Sequence, residues 1–145
     1  MARNHNHKGR TKSQSFVMLK VNIFESSAWR TLTPNARCAY TEIRRRFKGN
    51  NNGEIPLSCR ELGERLNISK ASAMRAFDDL IRAGFIKIGQ DSNFDWKQKT
   101  SRRWILTDEV YNGNSPTNEW QNYNQKNNTV SNCEAIVSPM KPKGH

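Results

Sequence analysis

The sequence is short of cysteine, of acids and of long apolar runs, and each shortage excludes something. Cys38, Cys59 and Cys133 are odd in number and form no C-x-x-C pair. They argue against a disulfide framework and read as reduced thiols of a protein kept inside the cell, with Cys38 and Cys59 at helix-core positions. His5 and His7 lie in a polar, Asn-rich N-terminus far from any cysteine, so no zinc or other metal site is expected. No run is apolar enough to span a membrane, and "MARNHNHKGRTKSQ" lacks the apolar centre of a signal peptide. The expected location is the cytoplasm. There is no Gly-rich phosphate loop, no nucleophile with a base beside it and no acidic cluster for magnesium. Neither enzymatic activity, catalytic residues nor a cofactor is therefore expected. Asp78 and Asp79 are adjacent on a helical pattern and point to different sides, which makes them poor metal ligands as a pair.

What is present is positive charge. The 145 residues carry 24 Lys and Arg against 13 Asp and Glu, a formal net charge of +11. Residues 1–32 contribute +5, residues 33–107 contribute +7 and residues 108–145 contribute −1, so the excess sits in the front two thirds. Such a balance points to a polyanionic partner, because neutralising phosphates releases condensed counterions. A membrane surface ranks below nucleic acid, since no amphipathic helix has a wide aromatic and leucine face. Only 34% of residues are hydrophobic, so the core must be concentrated in part of the chain. One folded unit with tails is expected.

Residues 1–14 are polar and basic and are expected to be disordered. Residues 15–109 read as the folded domain. It opens with a leading segment, residues 16–29, whose Phe16, Val17, Leu19, Val21, Ile23, Phe24 and Trp29 should dock as a strand or a short helix. Thr33 and Pro34 then start a helix in "TPNARCAYTEIRRRFKG", with Ala36, Ala39, Tyr40, Ile43 and Phe47 on its buried face and Gly49 beyond its end. Arg44 to Arg46 are expected to form a basic skirt, or Arg45 and Arg46 to pair with Glu42 one turn before them. "GNNNG" makes a turn, and "EIPLS" a short strand that Pro56 confines to an edge.

Ser58 and Glu61 form a capping box ahead of "CRELGERL", where Gly63 permits a close crossing. Ser69 caps a second helix whose Ala73, Ala76, Phe77, Leu80 and Ile81 make an apolar stripe, and Gly84 ends it. Two helices joined by so short a turn constitute a helix-turn-helix. "FIKIGQ" and "RRWILT" alternate as strands around the polar loop "DSNFDWKQKTS", giving a hairpin in the position of a wing. The fold class expected is mainly α with a small β-hairpin (α+β), a winged helix-turn-helix. Residues 110–145 are Asn-rich and poor in aliphatics, and are expected to form a disordered tail.

The run "IPLSCRELGERLNISKASAMRAFDDLIRAGFI" resembles the DNA-binding domain of bacterial GntR-type regulators, where "LPSERELA…LGVSRTTVREAL…L…GLI" is usual. The capping serine, the Arg60 to Leu62 triplet, the turn, the second serine cap and the closing Gly-aromatic-Ile all match, over about 32 residues. A GntR-type protein continues into an effector-binding domain, whereas only a polar tail follows here. The preceding segment looks more like the opening of small prophage and plasmid helix-turn-helix proteins, replication initiators included. The resemblance implies double-stranded DNA binding, as a regulator of transcription or, alternatively, as a replication initiator or accessory protein at origin DNA. A homodimer would read a palindrome, with the leading segment as its only evident face. A non-DNA adaptor acting through Trp120 and Tyr123 is the third class, and the tails are open to a protein partner.

The residues placed to contact DNA follow from the motif. Lys70, Ala71, Ser72 and Arg75, at the outward start of the second helix, are the candidates for base edges. Ser58, Arg60, Ser69 and Arg82 are the candidates for phosphate, with Ser58 and Ser69 also caps and Arg60 alternatively paired with Glu64. Lys97, Lys99, Arg102 and Arg103 would let the wing grip the backbone, or simply keep it soluble. Trp96 clamps the hairpin or contacts a sugar or base.

Overall fold

The structure is a computed structural model that describes residues 14–90, 94–95, 98–99 and 101–123. Its elements are helices α1 (Val21–Glu25), α2 (Ser27–Thr31) and α3 (Pro34–Arg46), strand β1 (Ile55–Pro56), helices α4 (Cys59–Leu66) and α5 (Lys70–Arg82), and strands β2 (Ile86–Gln90), β3 (Phe94–Asp95), β4 (Gln98–Lys99) and β5 (Arg103–Leu106). A 3₁₀ turn, Glu119–Asn122, follows. The class is α+β, with a three-stranded antiparallel sheet in the order β1-β5-β2. Pro56 lies on an edge strand, where its missing N–H interrupts no ladder.

Side-chain caps start the three longer helices. Thr33 accepts from the Ala36 N–H, Ser58 from Glu61 and Ser69 from Ser72, at 3.3, 3.1 and 3.1 Å. Each satisfies one orphan donor of a first turn. The second half of the expected capping box is diverted, because the Glu61 carboxylate accepts from Arg46 Nη2 at 2.7 Å. Between α4 and α5 the chain reverses through Asn67 in the left-handed region (φ 55°), and the Ile68 N–H returns to the Gly63 carbonyl at 2.9 Å. A Cβ on Gly63 would stand 2.9 Å from the Ile68 carbonyl, so the close approach needs glycine.

Two aromatic groups fill the core. Trp104 of the central strand is fully buried, stacks on Phe77 of α5 with centroids 4.4 Å apart, and donates from Nε1 to the Leu57 carbonyl at 2.9 Å. Trp29, Tyr40 and Phe85 meet edge to face at 5.6 to 5.9 Å, joining α2, α3 and the residue that follows the α5 terminus. The leading segment thus forms two short helices, and Ile23 and Trp29 anchor them. Phe16, Val17, Met18, Val21 and Phe24 remain exposed, so the expectation that this whole apolar set docks is corrected. Cys38 is also exposed rather than in the core, while Cys59 is half-buried against it.

A larger correction concerns Arg44. It is buried and bonds Asp108 (3.3 Å), Glu109 (2.6 Å) and the Met18 carbonyl (3.1 and 3.2 Å). Lys20 reaches both acids at 3.1 Å, and the Tyr40 hydroxyl donates to Asp108 at 3.2 Å. Burial and the Asp108 carboxylate push the Tyr40 phenol far above its ordinary range, so it stays a donor. Burial pulls the Arg44 guanidinium down, but the bond to Glu109 and the Asp108 charge outweigh it and raise it. Burial likewise raises Glu109, yet Arg44 and Lys20 together hold its carboxyl below its ordinary value. A carboxyl depressed by folding adds stability above its unfolded pKa and loses it as pH falls through the folded one. The stability gap between wild type and Glu109→Gln is therefore expected to close as pH drops below about 4.5, measured by urea midpoints in a pH series.

The domain also ends later than expected. Residues 110–123 were expected to belong to the disordered tail, yet Trp120 is buried and stacks on Phe85 at 6.0 Å with an 8° interplanar angle. Gly84, at φ +83°, closes α5 where an added Cβ would lie 2.8 Å from the Trp120 nitrogen. Asn118 N–H bonds the Thr107 carbonyl at 2.9 Å, and Glu119 pairs with Lys87. The polar loop of the hairpin is corrected too, since β3 and β4 pair within it, Phe94 opposite Lys99. Residues 1–13 and 124–145, with Cys133, and the hairpin positions Trp96 and Lys97 lie outside the described residues. Among those described, no helix is long and apolar enough to cross a membrane.

Candidate nucleic-acid interface

Helix α5 presents its first two turns outward because Ala73, Ala76, Phe77 and Leu80 turn its apolar stripe into the core. Lys70, Ala71 and Arg75 are exposed on the far side, and Ser72 is half-buried at the flank. Ser69 Oγ donates to Ser72 Oγ at 2.9 Å while accepting the Ser72 N–H, which fixes both hydroxyls at the helix start. The four residues expected to meet base edges therefore share one end of one helix, and that end is pinned by the Gly63 turn behind it.

The other expected contacts divide. Ser58 and Ser69 cap neighbouring helices as anticipated. Arg60 takes the intramolecular alternative, its Nε 3.2 Å from Glu64 Oε1, although at 84% and 67% side-chain exposure the pair is held weakly. Arg82 pairs with Asp79 at 2.5 Å. On the hairpin, the Arg102 guanidinium lies 5.5 Å over the Trp104 ring, and Arg103 stands 3.9 Å from Glu54. Lys99 lies on β4, and Lys97 falls outside the described residues.

Pairing decides which cations are available. Arg45 and Arg65 both reach Glu42, at 3.2 and 3.4 Å, and Arg46 reaches Glu61, so the basic skirt of α3 is largely neutralised within the fold. On the α4–α5 pair, Arg60, Arg65 and Arg82 each have an acid. Among the described residues, Lys70 and Arg75 are the cations of that pair that have none. Beside them, Thr33 and Asn35 at the start of α3 face α5 across an open groove that also includes Ser72, Arg75, Asp79 and Arg82. Thr33 and Asn35 were not expected at this face. Nothing in their spacing marks them, because the α3–α5 crossing brings them there.

Among the described residues no group of His, Cys, Asp and Glu could hold a metal ion. No protein family, curated protein or solved structure matches the chain.

Proposed function

We propose that the chain binds double-stranded DNA as a winged helix-turn-helix regulator of transcription, with α4 and α5 as the helix pair and the β2–β5 hairpin as the wing. The observation that carries the reading is the contrast in pairing. Among the described residues, Lys70 and Arg75 project unpaired from the first turns of α5, while the neighbouring arginines of the same helix pair each stand beside an acid. A helix entering the major groove presents its N-terminal residues to base edges. Arg75 forks onto guanine O6 and N7, Lys70 reaches guanine or a phosphate, and Ala71 meets a thymine methyl. Ser58 and Ser69 offer helix starts, where free N–H groups favour an anion. Lys99, Arg102 and Arg103 place positive charge along the hairpin, and the sequence-wide +11 supplies affinity independent of sequence.

Selection of bound sites from a random duplex pool tests the reading, and an enriched consensus is the expected result. Arg75→Ala should then weaken binding to that consensus by about 1–3 kcal/mol and relax preference at one position. Equal affinity of wild type and variant in a titration at fixed salt would remove Arg75 from the reading head.

A further inference from the structure

The C-terminal half of α5 carries a feature that the DNA-binding reading leaves unused. Asp79 is largely buried and divides its two oxygens between two helices. Oδ2 accepts from the Thr33 hydroxyl at 3.0 Å, and Oδ1 accepts from Arg82 Nη2 at 2.5 Å. Thr33 is the cap of α3, so its hydroxyl accepts the Ala36 N–H and donates to Asp79 at once. This bond orients the carboxylate toward the start of α3. Its side chain is 17% exposed, against 56% for Arg82. If Arg82 turned to a phosphate, it would leave a half-desolvated negative charge unpaired beside a polyanion. Asp78, the preceding residue, is exposed and adds a second negative charge to the same stretch.

Resting on the DNA-binding reading, we propose that Asp79 is a positioning residue that withholds Arg82 from the phosphate backbone. It thereby confines DNA contact to the Lys70–Arg75 end of α5 and keeps affinity for random sequence low. The groove between α3 and α5 thus has a cationic end that reads and an acid-guarded end that does not. A phosphate contact adds affinity for any sequence, so suppressing one lowers binding to random DNA and leaves the base contacts untouched.

The test is the slope of log affinity against log salt, which counts phosphates neutralised. For a random-sequence duplex, Asp79→Asn should bind more tightly and steepen the slope by about 0.9, one phosphate contact. Asparagine keeps an acceptor for Thr33, and a thermal melt checks the fold. Arg82→Ala alone should leave the slope unchanged while weakening affinity slightly, because it strips Asp79 of its counter-charge beside the backbone, and adding it to Asp79→Asn should restore the wild-type slope. A slope that falls in Arg82→Ala would show Arg82 already on phosphate and overturn the proposal. So would a gain in Asp79→Asn that survives loss of Arg82, or no gain in a folded Asp79→Asn. If wild type bound no duplex at about 50 mM salt, the DNA-binding reading itself would fall, and this proposal with it.

Discussion

Replacing Asp108 by alanine is expected to destabilise the domain by about 3–5 kcal/mol, the range for removing one partner of a buried ion pair. Asp108 is 2% exposed and takes bonds from Tyr40, Arg44 and Lys20. Its loss leaves the Tyr40 hydroxyl without an acceptor and Arg44, itself buried, with less compensating charge. Glu109 and the Met18 carbonyl still hold the guanidinium, which keeps the cost from exceeding that range. Asp108→Asn should cost less, because the amide oxygen remains an acceptor for one donor. Urea unfolding at pH 7 measures both, and equal midpoints for wild type and Asp108→Ala would show that the cluster is energetically idle. The cluster bears on the proposed DNA face through α3. It locks α3 to the chain on either side, and α3 packs along α5, whose exposed end is the proposed reading head.

The same cluster shows which parts of the fold the sequence could disclose. Helix starts were legible because a cap acts over three residues, and Thr33, Ser58 and Ser69 all bond the N–H that spacing assigned them. Strands β2 and β5 were legible from alternation, whereas β3 and β4 were not, and the glycines at Gly63 and Gly84 were legible where the chain must approach or turn closely. Arg44 was not, because a charged residue on a helix is read as solvent-facing unless its partner is known, and its partners lie 64 and 65 positions away. One signal was available: Arg44 follows Tyr40 by four and precedes Phe47 by three, on the buried stripe itself. The geometry of the proposed DNA face was half legible. The outward direction of Lys70 and Arg75 followed from the apolar period, but which arginines would be consumed by acids depended on rotamers and on helices crossing. Arg82 with Asp79 is a spacing of three that pattern alone would have allowed, whereas Thr33 joining them required the fold.

Trp120→Ala is expected to cost about 3 kcal/mol, the low end for emptying a buried aromatic site, and deleting everything after Glu109 should cost at least as much. Composition argued against this segment, since residues 110–123 have few aliphatics and many asparagines. A single large aromatic outweighs that composition when a matching surface exists. Phe85 provides the stacking face, and Gly84 lets the backbone of Glu119 and Trp120 lie against the end of α5. Asn118, in the left-handed region at φ 45°, turns the chain into that contact, and asparagine tolerates this conformation better than most residues. The low end of the range follows from Nε1, which is buried without a hydrogen-bond partner among the described residues and so offsets part of the gain from burying the ring. Trp120→Phe removes that unpaired donor and retains a ring on Phe85, so it should cost less than about 1.5 kcal/mol. A Trp120→Ala variant as stable as wild type in urea would return residues 110–123 to the tail. A loss as large for phenylalanine as for alanine would instead give Nε1 a partner. Because Phe85 also meets Trp29 and Tyr40, the loss should extend to the α2–α3 contact, and Trp29 fluorescence in a Trp120→Ala background should report a looser environment.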